Sequence, residues 1–349
     1  MSNAAEHPDV HDRLREGQVR SILAAARVER DRTRCEIDVV RVAPGAYRSS
    51  CSIQDVEVVF ADGRMLRAVL KDVSPSAQLA EARRARPAFL LDPRREIEVY
   101  RNVLRPFDLG APAMLGALAD EPLRRYVLLL EKVTGVPLWQ VGEPEVWCAA
   151  ARWLAAMHVR LQPAAPDLLA PARLLPYDDV YYARWRARAE AILPGRHKPT
   201  ETRRLIVTYA AVVPRLLGLP RTFIHGEFHA SNVIVETGAS AARIRPVDWE
   251  MAAFAPALMD LADLTAGRWT ASQRETFASD YRNAAVSCGS APGAHFEYQL
   301  DCCRLHRAIQ WLCWSSQWSP PREHTQDWFG EAMRLCDRIA ESTAHGDHP

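Results

Sequence analysis

Residues 223–250 constrain this chain more tightly than any other stretch. They read Phe223-Ile224-His225-Gly226-Glu227-Phe228-His229-Ala230-Ser231-Asn232-Val233-Ile234-Val235, a polar segment 236–243, then Ile244-Arg245-Pro246-Val247-Asp248-Trp249-Glu250. Two short apolar runs flank a segment carrying Gly238 and Ser240, the pattern of a β-hairpin with polar residues at both mouths. A hairpin holds its ends together. It therefore places Asn232, just before the first strand, beside Asp248, just after the second.

An amide oxygen and a carboxylate in that relation suit Mg²⁺, a hard cation whose oxygen ligands usually include nucleotide phosphates. Glu227, five residues before Asn232, is then expected near the same ion, where a carboxylate orients or deprotonates an attacking hydroxyl. The order acid, four residues, Asn, hairpin, Asp is that of a kinase catalytic loop followed by its metal-binding Asp. With His225-Gly226-Glu227-x-x-x-x-Asn232 and Asp248-Trp249-Glu250, the chain resembles the aminoglycoside phosphotransferase family of small-molecule kinases. That family usually carries Asp where Glu227 stands. His225 and His229, four apart with an acid between them, also fit part of a zinc-binding helix. The zinc-protease pattern, however, sets Glu directly after the first His and needs a helix. Gly226, Asn232 and the β-branched run after it oppose one.

A length of 349 residues exceeds one compact core of ordinary size and points to two lobes. The net charge of +1, from 44 basic and 43 acidic residues, gives no reason to expect nucleic acid or an anionic membrane as a partner. No apolar run approaches the ~20 residues of a membrane span. The eight cysteines form no Cys-x-x-Cys pair, so neither a disulfide framework nor a zinc ribbon is indicated, and a cytoplasmic setting is the simplest.

Ahead of the hairpin the pattern is mixed. A helix is expected over 13–32, then strands over 36–42, 52–60 and 65–73, with a turn at 44–50 and a tight one at 61–64. The three strands resemble the nucleotide-covering sheet of a kinase, with backbone groups near Ser49 and Ser50 at the phosphates. The resemblance makes Lys71 the third-strand lysine that pairs the α- and β-phosphates. Asp92-Pro93 starts a helix over 94–104 with Ile97, Tyr100 and Leu104 on one face. Glu96, rather than Glu98, then resembles the helix glutamate that fixes the lysine. The apolar run 126–130 ends at Glu131, which resembles the last sheet strand entering the hinge, where backbone groups meet adenine.

Beyond 137 the periodicity is helical. His158 reads as a packing residue. Asp178 and Asp179 with Tyr177, Tyr181, Tyr182 and Trp185 read as a packed helix start or as a place for a cationic or ring-bearing substrate. Trp311, Trp314, Trp318 and Trp328 read as core, or in part as walls of an acceptor pocket. In 255–264, Asp260 resembles the family's brace for the catalytic loop, with His225 as one partner.

The resemblance implies an α+β, protein-kinase-like fold of two lobes. The nucleotide-binding lobe would span 13–131, the hinge 132–137, and the helical lobe, with catalytic loop and acceptor site, 138–345. It implies a monomeric or homodimeric phosphotransferase using ATP (or GTP) and Mg²⁺. Asn232 and Asp248 would hold the metal, and Glu227 would aim the hydroxyl of a small molecule at the γ-phosphate. Because Glu and Asp differ little in unperturbed pKa, base strength is expected to be hardly changed by this exchange, and reach to change more. A nucleotide-binding pseudokinase and a kinase of a peptide natural product stay open as alternatives.

Overall fold

The structure, a computed structural model, describes residues 8–30, 36–45, 51–236, 242–267, 269–290, 293, 295–314 and 326–344. Ser49 and Ser50, the hairpin turn with Gly238 and Ser240, and Trp318 lie outside the described residues. The architecture is α+β, in two compact units: one drawn from Met1–Arg83 and Ala111–Val133, the other from Arg84–Gly110 and Thr134–Pro349.

The first unit contains α1 (Pro8–Arg30), β1 (Ile37–Pro44), β2 (Ser52–Phe60), β3 (Met65–Asp72), all but the last two residues of α2 (Ala80–Ala85), β4 (Met114–Asp120) and β5 (Arg125–Glu131). The strands make one antiparallel sheet in the order β1-β2-β3-β5-β4. Alternation along β2 and β3 turns Val56, Val58, Ala68 and Leu70 to one face, where Val19, Ile22 and Leu23 of α1 cover them. Each such aliphatic burial contributes about 1.5–3 kcal/mol, enough to fix which face α1 covers. The helix lies close on β4 at Gly116, where a Cβ would meet the Ile22 side chain at 2.5 Å. Lys71 sits near the end of β3, paired in register with Ile53 and Leu128, and is buried.

The second unit opens with α3 (Arg95–Val99), which runs through a π turn (Tyr100–Leu104) into α4 (Arg105–Phe107). As the spacing predicts, Ile97, Tyr100 and Leu104 are buried, and the Asp92 carboxylate accepts the Arg94 N–H at the helix entry. β6 (Val136–Pro137), α5 (Pro144–Leu161), α6 (Ala165–Leu168), β7 (Leu175–Pro176), α7 (Asp179–Ile192) and α8 (Pro199–Gly218) follow. Then come β8 (Arg221–Ile224), β9 (Val233–Glu236), β10 (Arg243–Pro246), β11 (Ala253–Pro256), α9 (Leu258–Leu264), α10 (Ala271–Ser287), α11 (Phe296–Cys313) and α12 (Trp328–Ala344).

Two small sheets, β10-β9-β6 and β7-β11-β8, are set among helices in which α11 packs against α7, α8, α9 and α12. The expected hairpin is present, β9 against β10, with Val233 opposite Pro246. Asp178 spends its carboxylate capping α7 through the Tyr181 N–H, and Tyr177, Tyr181, Tyr182 and Trp185 are buried. That segment is a packed helix start. Trp311, Trp314 and Trp328 are half-buried, and Trp185 and Trp249 are sealed. No described helix is long and apolar enough to cross a membrane.

Candidate active site

The chain leaves β8 at Ile224 and reaches β9 at Val233 through a loop braced from beneath. Asp260, on α9 and fully buried, accepts the backbone N–H of His225 at 2.7 Å on one oxygen and that of Gly226 at 2.8 Å on the other. His158 Nε2 lies 3.2 Å from the same carboxylate, and its Nδ1 2.9 Å from the Tyr281 hydroxyl. His158 is thus more than the packing residue expected from helical spacing. Spacing reveals a buried face, whereas its partners come from α9 and α10. Burial alone would raise the Asp260 carboxyl, but the His158 hydrogen bond and charge, aided by His225 and the Gly226 amide, hold it below the usual carboxylate range.

His225 makes the expected contact with Asp260 through its backbone rather than its ring. Its Nε2 faces the Val247 carbonyl at 2.9 Å, which can only accept, so the proton is on Nε2. Nδ1 then accepts the Glu227 N–H at 3.3 Å, and the ring leans on Trp249 with centroids 4.4 Å apart. Neither His225 nor His229 lies in a helix, and His229 Nδ1 faces Asp263 at 3.6 Å. Among the described residues no three His, Cys, Asp or Glu side chains are grouped to hold a metal by themselves.

The hairpin brings the backbone at Asn232 beside that at Val247, one residue before Asp248. The Asn232 carbonyl accepts the Val247 N–H at 2.8 Å, one step past the last paired residues, so Asp248 follows directly from that bond. Asn232 Nδ2 donates to the Glu227 carbonyl at 3.1 Å, which leaves Oδ1 as the amide atom able to bind a cation. Asp248 adopts φ 65° and ψ 65°, a left-handed conformation that Asp and Asn tolerate better than most residues. An amide oxygen and a carboxylate fit Mg²⁺, which needs few protein ligands when phosphates and water complete its shell.

Glu227 is partly buried beside this pair. Burial pushes its carboxyl up to about 8, with Glu250 and Asp248 adding to the rise and Arg86 and Arg307 opposing it. Basicity at this position is thus dominated by desolvation and neighbouring acids, beside which the exchange of Asp for Glu is a small matter.

Glu96 is buried, and its Oε1 accepts the Trp249 N–H at 3.3 Å, directly after Asp248. Glu98 instead faces Arg101 at 3.1 Å on the outside of the helix. Glu131 uses its N–H on the Ala113 carbonyl at 2.8 Å, and its carboxylate takes the Ala113 N–H at 2.9 Å.

Four residues went unread in the sequence. Arg95 donates to the Glu250 carbonyl at 2.8 Å and the Arg173 carbonyl at 2.9 Å, fixing α3 to the residues after Asp248. Arg307 on α11 donates to the Gly226 carbonyl at 2.8 Å and pairs through Nε with Asp263 at 2.6 Å. Burial opposes its charge, but the Asp263 carboxylate offsets this and keeps the guanidinium protonated. Arg86 pairs with the Glu250 carboxylate. The Arg-Glu dipeptide at 95–96 and the i, i+3 spacing of Asp260 and Asp263 were the available signals, while Arg86 and Arg307 carried none.

An antiparallel sheet leading into a helical part with this loop and hairpin defines a protein-kinase-like fold. The chain matches the phosphotransferase enzyme family (APH) over residues 53–295 and belongs to it. Solved structures agree on the fold. A microcompartment-associated aminopropanol kinase is 16% identical, with TM-score 0.58 over 88% of this chain and 93% of that one. The GDP complex of wild-type aminoglycoside 2'-phosphotransferase-IIIa is 12% identical, with TM-score 0.57 over 94% and 99%. Choline kinase LicA from Streptococcus pneumoniae is 15% identical, with TM-score 0.53 over 89% and 94%. No curated protein matches the chain.

Proposed function

We propose that this phosphotransferase moves the γ-phosphoryl group of ATP or GTP, with Mg²⁺, onto a hydroxyl of a small molecule such as an antibiotic, a sugar or an amino alcohol. The observation that carries the reading is the hydrogen bond from Val247 to Asn232, which sets the amide at 232 and the carboxylate at 248 at one hairpin mouth. The similar folds support it, since they belong to kinases of aminopropanol and choline and to an aminoglycoside phosphotransferase with GDP.

Asn232 and Asp248 would hold the metal ion, whose bound form neutralises phosphate charge. Lys71 is assigned to the nucleotide phosphates, Glu96 to ordering the residues after Asp248, and Glu131 to the nucleotide base through its backbone. Glu227 would take the acceptor hydroxyl proton, His225 would keep the loop amide of Glu227 in place through Nδ1, and Asp260 would brace the loop.

One observation favours a second reading, a nucleotide-binding scaffold with weak or no catalysis. A carboxyl pushed up to about 8 is mostly protonated at neutral pH and cannot then accept a proton. Phosphate transfer from Mg·ATP and Mg·GTP to aminoglycosides, macrolides, sugars, amino alcohols and hydroxyl-bearing peptides, measured from pH 7 to 9, separates the two. Turnover that D248N and E227Q lack supports the enzyme. Nucleotide binding without turnover across that range supports the scaffold, and no binding at all defeats both.

A further inference from the structure

Arg86 precedes the 3-10 turn Ala88–Leu90 and sends a guanidinium that is 9% exposed to the Glu250 carboxylate. Glu250 is itself anchored, because its carbonyl accepts from Arg95 while the preceding Trp249 amide is taken by Glu96. The guanidinium lies over the Trp314 ring, 5.8 Å from its centroid. Glu227 and Asp248 are near enough for their charges to act on it. Of the five N–H groups of an arginine, one is spent on Glu250, and no other described residue accepts from the rest. None of its nitrogens is among the sealed polar atoms that lack a partner, so the remaining donors open on accessible space.

A planar fork with unspent donors beside three carboxyl groups is suited to a group carrying several anionic oxygens. The acids alone would repel such a group. Phosphoryl transfer produces this species, a phosphorus with negative charge spread over three equatorial oxygens.

Resting on the proposed phosphoryl transfer, we propose that Arg86 is a further catalytic residue whose guanidinium bonds the equatorial oxygens of the phosphoryl group in flight, with Glu250 and Trp314 holding the fork in place. In that step the acceptor O–H gives its proton to the Glu227 carboxylate and its oxygen forms a bond to the γ-phosphorus. The bond from that phosphorus to the bridging oxygen breaks, and the nucleoside diphosphate leaves with the electron pair.

The test uses the full chain with Mg·ADP, with and without aluminium fluoride as a mimic of the phosphoryl group in flight, in calorimetry. Mg·ATP hydrolysis, with water as acceptor, is followed alongside. In the wild type, aluminium fluoride tightens Mg·ADP binding. Arg86→Ala loses that tightening and about 10²–10³-fold in hydrolysis, while Mg·ADP affinity stays within about twofold, because the lost contact is made only in flight. Arg86→Lys keeps a cation facing Glu250 but not the fork, and behaves like Arg86→Ala. Added guanidinium restores part of the hydrolysis in Arg86→Ala alone. If Arg86→Ala unfolds early, Arg86→Lys carries the test. Retained tightening in Arg86→Lys, or a wild type that binds Mg·ADP without any tightening, makes Arg86 a structural brace and overturns the inference. A wild type that binds no Mg·ADP overturns the proposed function as well.

Discussion

The Asn232 carbonyl and the Val247 N–H are joined at 2.8 Å, one step beyond the last paired residues of the β9–β10 hairpin. This bond makes the backbone before Asp248 continuous with the backbone at Asn232. Asp248 then turns into a left-handed conformation that Asn also tolerates. Asp248→Asn therefore removes the charge and leaves the turn intact. Phosphate transfer is expected to fall by about 10²–10³-fold or more. The unfolding midpoint should move by less than about 2 °C, the shift that well under 1 kcal/mol produces in a chain of this size. Activity assays beside differential scanning calorimetry check it. Chelation of Mg²⁺ should reproduce the activity loss in the wild type and add nothing in the variant.

Glu227 yields a pH prediction with a definite sign. Its carboxyl is pushed up to about 8 by burial first, then by Glu250 and Asp248. A base must be deprotonated, so log kcat/KM should climb with unit slope towards about pH 8 and level off above it. Bound Mg²⁺ would shift the bend downwards without removing it. Glu227→Gln should lose about 10²–10⁴-fold and show no such bend. Stability moves the opposite way. The folded state holds this proton more tightly than the unfolded chain, so the stabilising contribution is complete below the ordinary value of 4.5 and is lost as pH rises to about 8. Glu227→Gln, which stays neutral, should therefore gain on the wild type in urea unfolding at pH 9, but not at pH 4. A variant equally displaced at both pH values would contradict this.

How much of this site was readable in the residues depended on where the partners come from. Asn232, Asp248 and the hairpin were legible because strand alternation and turn composition are local, and β9 and β10 are neighbours in sequence. Glu96 and Asp260 were picked out only by the family resemblance, whereas helix periodicity by itself indicated the buried face of Ile97, Tyr100 and Leu104. Arg307 contributes to the loop from 81 residues away, and Arg86 reaches Glu250 across 164. No short pattern encodes such distances. His158 shows the same limit, since its position on α5 predicted burial and nothing predicted that Asp260 would be its partner. The raised carboxyl of Glu227 was invisible for another reason: desolvation belongs to the folded site and not to the residue type.

Asp260 concentrates the support of the loop in one buried side chain. It accepts two backbone N–H groups and faces His158, and it is held below the usual carboxylate range despite burial. Asp260→Asn keeps the shape but turns one oxygen into an NH2 group, so a donor must face a donor. The expected cost is about 3–5 kcal/mol, as for breaking a buried charged network by removing one partner. Chemical denaturation at pH 7 measures it. Because the folded carboxyl titrates lower than the unfolded one, its contribution is present above the ordinary value of 3.8 and is lost as pH falls through the folded value. The gap between wild type and variant should accordingly shrink only in strong acid.

Gly226 separates backbone strain from steric exclusion when compared with Gly63. Both have left-handed backbones, φ +86° and φ +81°. A Cβ on Gly63 would meet nothing within 4 Å, whereas one on Gly226 would sit 2.0 Å from the Met251 carbonyl oxygen. Gly63→Ala should then cost only the left-handed penalty, about 1–2 kcal/mol, and leave phosphate transfer unchanged. Gly226→Ala adds a clash with backbone that cannot rotate away, which places it beyond about 4 kcal/mol, in the range that marks a named structural fault. The Met251 carbonyl follows Asp248 by three residues, so the displacement should also pull the Asp248 carboxylate, the proposed metal ligand, from Asn232. Any Gly226→Ala protein recovered in folded form is expected to bind Mg·ADP more weakly than Gly63→Ala. Equal stability in the two variants, read from urea midpoints, would show that the close approach of residues 226 and 251 is not what holds this loop.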